Sequence, residues 1–246
     1  MKSKAKRILA VLTACVLIIL ILSITNSFVG NPVSKYLADK SAAKYIKEKY
    51  SDLNLEADKA GYNFKEKKYI VRVKSKNSID THFAIYCKST GKVLRDDYEM
   101  DVLEGFNTWT RVTDQYHKYV EKLLREKLKY QYDMIIGDVN DKSEPRLEID
   151  KNYDMHDKDL KGSVTVYIYS DNRTWDNVAK VTKEIDKVFS DDNINVDKYT
   201  VVLENKDKKG DSMGIYDFDK KLLESDNLPA VMKKFFDEWE KEHDKK

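Results

Sequence analysis

The sequence predicts an α+β protein: an N-terminal transmembrane helix, then two small α+β units, each a helix with an antiparallel sheet, joined by a long helix. Three observations lead there. Ile8 to Ile24 is an uncharged run broken only by Thr13 and Ser23. Two later stretches alternate apolar and polar residues with the period of half-buried strands. Between them, and again near the end of the chain, apolar residues recur at helical spacing. The divisions are 1–30 for a cytoplasmic tip and signal anchor, 31–100 for the first module, and 101–246 for the long helix and C-terminal domain.

The uncharged character continues to Val29. As a helix rising about 1.5 Å per residue, residues 8–29 span about 33 Å, against a hydrocarbon core of about 30 Å. A cleaved signal peptide has a shorter apolar region and a small-x-small cleavage site. Here the run is longer, and Ser23-Ile24-Thr25-Asn26-Ser27-Phe28 offers a poor site. Leu12-Thr13-Ala14-Cys15 resembles a lipobox, but the residues following Cys15 are the most apolar of the chain, where a lipoprotein needs polar ones. Retention as an anchor is the expectation, with the lipid bilayer as partner of residues 8–29. Lys2, Lys4, Lys6 and Arg7 precede the span, and no charge follows until Lys35. The positive-inside rule then keeps the N-terminus in the cytoplasm and puts the rest outside.

Charged residues make up 36% and aromatic residues 11% of the chain, which suits folded, well-solvated domains. The net charge of +2 comes from the tip: residues 1–29 carry four of the 45 basic residues and no acidic one, leaving 41 basic against 43 acidic. With signs intermingled, as in Lys65-Glu66-Lys67-Lys68, no basic face is expected, and nucleic acid is not a partner. With Cys15 in the span, Cys87 has no partner for an intramolecular disulfide, unlike small secreted domains built on disulfides. Together with the Lys, Asn, Ile and Tyr bias, this fits the outer face of a Gram-positive bacterium.

Asn31 and Pro32 break the apolar segment, and a helix follows to Tyr50 with Val33, Tyr36, Leu37, Ala43, Ile46 and Tyr50 near one face. Leu53, Leu55 and Ala57 alternate as a strand, as do Tyr69, Val71 and Val73. The stretch 80–88 continues the sheet with Phe83, Ile85 and Cys87 inward and His82, Ala84 and Tyr86 outward. Ser89-Thr90-Gly91-Lys92 turns into Val93-Leu94-Arg95. Asp101 and Glu104 suggest a capping box opening a helix to about Tyr132, with Val102, Phe106, Trp109, Val112, Tyr116, Val120, Leu123 and Leu124 on its apolar face.

In the second half, Arg146-Leu147-Glu148-Ile149 reads as a weak strand and 164–169 as a strong one. Trp175, Val178, Val181, Ile185 and Phe189 mark a helix, Tyr199, Val201 and Leu203 a strand, and 213–218 another strand reached through a turn at Lys209-Gly210-Asp211. Leu228, Val231, Met232, Phe235, Phe236 and Trp239 form the cleanest amphipathic stripe, expected to be core. Asp138 to Asp159, polar and acidic, is the expected mobile connection.

No G-x-S-x-G, H-E-x-x-H, C-x-x-C or phosphate-loop motif occurs. The histidines at 82, 117, 156 and 243 lack a second ligand at metal spacing and read as surface residues. The stretch Asp150 to Asp159 gathers oxygens around His156, but an EF-hand needs Gly and Glu where Met155 and Lys161 stand. Cys87, facing a core, is a poor nucleophile. No catalytic, metal or cofactor-binding residue is therefore assigned, and no cofactor is expected. A carboxylate pair, as in a wall-cleaving glycosidase, leaves no spacing signature and stays open.

Ala42-Ala43-Lys44-Tyr45-Ile46, followed by strands ending in His82-Phe-Ala-Ile-Tyr-Cys-Lys-Ser-Thr-Gly-Lys-Val-Leu94, resembles the PepSY and YpeB-type modules of bacterial envelope proteins. The acidic residue usual before their turn is replaced here by Cys87-Lys88. More closely, the whole chain resembles the uncharacterised YfjL-like membrane proteins of Firmicutes. The resemblance implies a non-enzymatic, extracytoplasmic module that binds or restrains an envelope protein such as a peptidase. The alternative is a carboxylate-based envelope hydrolase.

Overall fold

Gly30 and Asn31 interrupt what would otherwise be one helical run. The computed structural model, which describes residues 2–140, 147–207 and 212–243, divides the run there into α1 (Lys2–Val29) and α2 (Pro32–Lys49). Gly30 has a φ of +78°, and Asn31 is extended, so its side-chain oxygen accepts the Val33 amide at 2.8 Å and the Ser34 amide at 3.4 Å. Asn31 is thus the N-cap and Pro32 opens the new helix, each in its favoured place. Among the described residues, the N-terminal helical run is the one long and apolar enough to cross a membrane. Its apolar side chains are largely uncovered: Leu17 remains 54% and Phe28 63% exposed.

The chain forms two compact units, Met1–Asn107 and Thr108–Lys246. In the first, β1 (Leu55–Ala57), β2 (Gly61–Asn63), β3 (Lys68–Ser75), β4 (His82–Cys87) and β5 (Val93–Asp96) make an antiparallel sheet. β1 and β2 share one edge of β3, pairing with its end and its start. The strand phase is as expected: Tyr69, Val71, Val73, Phe83, Ile85 and Cys87 are buried. They share a core with Ala38 and Ala42 of α2. This corrects the expected helix face in part: Tyr50 is buried, Ile46 packs on the core and Leu37 is half-buried, but Val33, Tyr36 and Ala43 are exposed. Small residues let a helix backbone approach a sheet closely, so Ala38 and Ala42 turned inward.

The expected helix from Asp101 is also corrected. Glu99–Leu103 is a short π-helical turn, Gly105 sits at φ +81°, and α3 runs only from Phe106 to Lys127. Asp101 therefore caps nothing, and Phe106 is exposed rather than inward. Val112, Tyr116, Val120, Leu123 and Leu124 are buried as the period requires.

The second unit holds β6 (Tyr132–Val139), β7 (Gly162–Tyr169), β8 (Val196–Glu204) and β9 (Met213–Asp219) in that order. β6 and β9 flank antiparallel, while β7 and β8 are parallel, with α4 (Trp175–Asp191) as the crossover between them. Thr174 caps α4 by accepting the Asn177 amide at 3.3 Å. A 3-10 turn (Lys220–Glu224) leads to α5 (Leu228–His243), whose stripe packs on the core through Leu228 and Met232.

Sequence reading missed β6 and placed a strand at 146–149 instead. Residues 147–149 form no strand, and Arg146 lies outside the described residues, as does the turn at 209–211. In β6, Gly137 lies on the inward face between Ile135 and Val139, and a Cβ there would meet Tyr116 at 3.0 Å. The glycine that admits the Tyr116 ring also hides the alternation. Asp138 and Val139 belong to this strand, so the expected connection begins later; residues 141–146 are outside the described set.

Candidate functional site

The last turn of α2 delivers Tyr45, Lys49 and its C-cap Tyr50 to the end of β5, where Arg95, Asp96 and Asp97 leave the sheet. Asp96 is set by the β4–β5 register, opposite Ile85, and the Tyr98 amide donates to its Oδ1 at 3.0 Å. The Tyr45 hydroxyl donates to Oδ2 at 2.5 Å, and Lys49 Nζ reaches the same oxygen at 3.1 Å and the Tyr45 oxygen at 3.0 Å. Below them the Tyr50, Phe83 and Tyr98 rings pack at 4.7 to 5.2 Å. An open depression of about 580 Å³ is lined by Tyr45, Lys49, Tyr50, Asp96 and Tyr98 with Arg95, Glu99 and Leu103.

Burial alone would raise the Asp96 carboxyl, but hydrogen bonds from Tyr45, the Tyr98 amide and Lys49 outweigh it and hold the acid below its usual range. The hydrogen bond to Tyr45, followed by Tyr50 and Asp96, keeps Lys49 protonated far above its ordinary value. Lys49 also lies 5.0 Å from the Tyr50 ring centroid, and burial pushes that phenol up to about 12. A lysine in the last turn additionally complements the helix dipole. These shifts favour a protonated Lys49 beside an ionised Asp96. The arrangement presents a cation between aromatic faces.

Residues 5–98 match the YfjL-like N-terminal domain and residues 115–233 match the YfjL-like C-terminal domain. The chain belongs to the YfjL-like family. The first match contains most of α1 and all of α2 and the first sheet, and the second contains most of α3 and all of β6 to β9. No curated protein and no solved structure matches the chain.

Within the YfjL-like C-terminal domain, His156 is less isolated than its spacing suggests. Its Nδ1 lies 2.7 Å from Asp154, and its Nε2 lies 3.2 Å from the Tyr119 oxygen and 3.5 Å from Asp192. Tyr119 donates to Asp192 at 2.7 Å, and its ring meets the imidazole edge-on. Asp154 and then Asp192 raise the His156 pKa, and burial opposes them. Asp154 and Asp157 otherwise accept the amides of His156 and Asp159 at 3.0 Å, closing local turns. Among the described residues, no group of three or more His, Cys, Asp or Glu side chains is placed to hold a metal ion.

The remaining singled-out residues are dispersed. His82 is exposed on the outer face of the first sheet, His117 Nδ1 accepts the Gly137 amide at 3.3 Å, and His243 stacks on Trp239. Cys87 is fully buried, and burial raises its thiol pKa. A second open depression, about 500 Å³, lies over the outer sheet face with Asp58, Arg72, Lys74, His82 and Asp101 on its walls. Burial, then Asp97, raises the Asp101 carboxyl. Sequence reading missed the Tyr45, Lys49 and Asp96 group. The signal was the i,i+4 pair Tyr45 and Lys49, which was passed over in favour of a hydrophobic face containing Ala43.

Proposed function

We propose that this YfjL-like protein is a membrane-anchored, extracytoplasmic binding or regulatory module of the bacterial envelope, without catalytic activity of its own. The observation that carries the reading is α1, a helix of membrane-spanning length whose apolar side chains are left exposed along its length, attached to two folded units. The basic residues Lys4, Lys6 and Arg7 before the span support a cytoplasmic N-terminus. The resemblance that the sequence of residues 31–98 suggests to PepSY and YpeB-type modules of bacterial envelope proteins implies an envelope protein, such as a peptidase, as partner. The Lys49 depression, with a locked cation among aromatic rings, suits recognition more than proton transfer.

The alternative, a carboxylate hydrolase, has its best place at Asp58 and Asp101, where one carboxyl has a raised pKa. Arg72, Lys74 and His82 share that depression, an arrangement that equally serves a solvated surface. The two readings separate in one experiment. Tagged full-length protein is crosslinked in envelope membranes alongside K49A and D101N. A partner lost in K49A and retained in D101N supports the binding role; release of wall fragments by purified protein, abolished in D101N, overturns it.

A further inference from the structure

The first unit exposes several apolar side chains that its own core does not use, and three of them belong to the segments that meet the end of α1. Val33 and Tyr36, 65% and 63% exposed, stand on the first turns of α2. Phe64, 50% exposed, sits at the tip of the β2–β3 hairpin, where turns normally carry polar residues. Its ring centroid lies 6.1 Å from that of Phe28, in the last turn of α1. These residues surround the point at which the apolar helix ends.

The hairpin is held there by several contacts. A Cβ on Gly30 would approach Tyr62 to 2.6 Å, so the junction between α1 and α2 lies directly against β2. The Asn31 amide donates to the Tyr69 hydroxyl at 2.8 Å, and the Tyr62 and Tyr69 rings pack at 4.9 Å. The tip itself is ordered: Asn63 Oδ1 accepts the Lys65 and Glu66 amides at 3.1 and 3.3 Å, and Lys68 pairs with Glu66 at 3.1 Å. Phe64 is thereby presented outward by a turn whose own polar groups are satisfied.

With residues 8–29 spanning about 33 Å of helix, Phe28 falls at the boundary between hydrocarbon and headgroups. Phe64, in contact with it, stands at the same depth. Aromatic side chains favour this boundary, and lysine stems reach from it into water. Lys65 and Lys67 follow Phe64, and Lys35 lies between Val33 and Tyr36.

We propose that the β2–β3 hairpin tip and the first turns of α2 form a membrane-surface seat: Phe64, Tyr36 and Val33 insert into the outer headgroup boundary beside α1 and hold the first unit against the lipid. The occupant of this patch is the bilayer itself, continuous with the anchor. The inference rests on the anchored reading of α1, and its test distinguishes the two.

Full-length protein is reconstituted in bilayers containing phosphatidylglycerol and lipids brominated either close to the headgroup or deep in the chain. Two variants each add one tryptophan, Ile19→Trp within α1 and Phe64→Trp at the hairpin tip, and their emission is compared with that of the unsubstituted protein. The seat predicts that the added Phe64→Trp emission is blue-shifted and lost to the shallow bromines, and that of Ile19→Trp to the deep ones. If Ile19→Trp is quenched while Phe64→Trp keeps the emission of a water-exposed indole, the anchor stands and the seat is overturned. Loss of neither signal overturns both. Circular dichroism of each variant confirms that the first unit is folded, and Tyr36→Trp repeats the measurement independently.

Discussion

The backbone amide of Asn31 donates to the hydroxyl of Tyr69 across 38 positions of sequence, at 2.8 Å. Asn31 simultaneously caps α2 with its side chain, so one residue ends the apolar helix, starts the next and ties both to the sheet. Tyr69→Phe leaves that amide without its acceptor and is expected to cost about 1 kcal/mol in the first unit. Near-ultraviolet dichroism of detergent-solubilised protein, followed through urea unfolding, measures it.

Gly30 tests the same junction sterically. Ala at a φ of +78°, with its Cβ 2.6 Å from Tyr62, is expected to destabilise the first unit by about 1–3 kcal/mol. Gly61, where a Cβ would meet only the Ile70 oxygen at 3.9 Å, is the control. Gly61→Ala should stay within about 0.5 kcal/mol of the parent. Equal losses at both positions would contradict a fixed junction.

Tyr116 gives a prediction of opposite sign. Its ring is wholly buried, and its hydroxyl makes no hydrogen bond to protein. Tyr116→Phe removes an unsatisfied polar group without opening a large cavity. It is expected to leave the second unit as stable as before or more so, by up to about 1 kcal/mol, in chemical denaturation.

His156 makes stability depend on pH. Its folded pKa lies above the ordinary 6.5, raised by Asp154 and Asp192, so the protonated ring stabilises the fold fully below 6.5. That contribution is lost as pH rises through the folded value. The ring is 43% exposed, which keeps the effect small and sensitive to salt. The urea midpoint of the parent should fall relative to His156→Gln across this window, and high salt should flatten the difference.

Cys87 should react slowly with thiol reagents in the folded protein and rapidly in guanidinium, since burial both covers the sulfur and suppresses thiolate. Rapid labelling under native conditions would mean that β4 presents the opposite face.

Strands whose side chains alternate cleanly were legible in the sequence, and so were helices with large apolar stripes. β3, β4, β7, β8, α4 and α5 all fall where periodicity put them. The errors share a cause, which is that small residues carry structure without hydrophobic signal. Ala38 and Ala42 form the inner face of α2, Gly137 conceals β6, and Gly105 stops the helix that Asp101 was expected to begin. The Tyr45, Lys49 and Asp96 group escaped notice because it joins α2 to β5 across 51 positions, a pairing that only the register of the sheet specifies. The burial of Cys87 needed nothing beyond strand phase.

The proposed function requires α1 to remain in the membrane with both folded units outside. Adding protease to intact protoplasts and weighing the protein recovered from untreated cells tests this most directly. The expected result is digestion of the C-terminal region from outside, and a mature protein whose mass still includes residues 8–29. Protection from the protease, a chain that begins downstream of Val29, or diacylglycerol on Cys15 would contradict it.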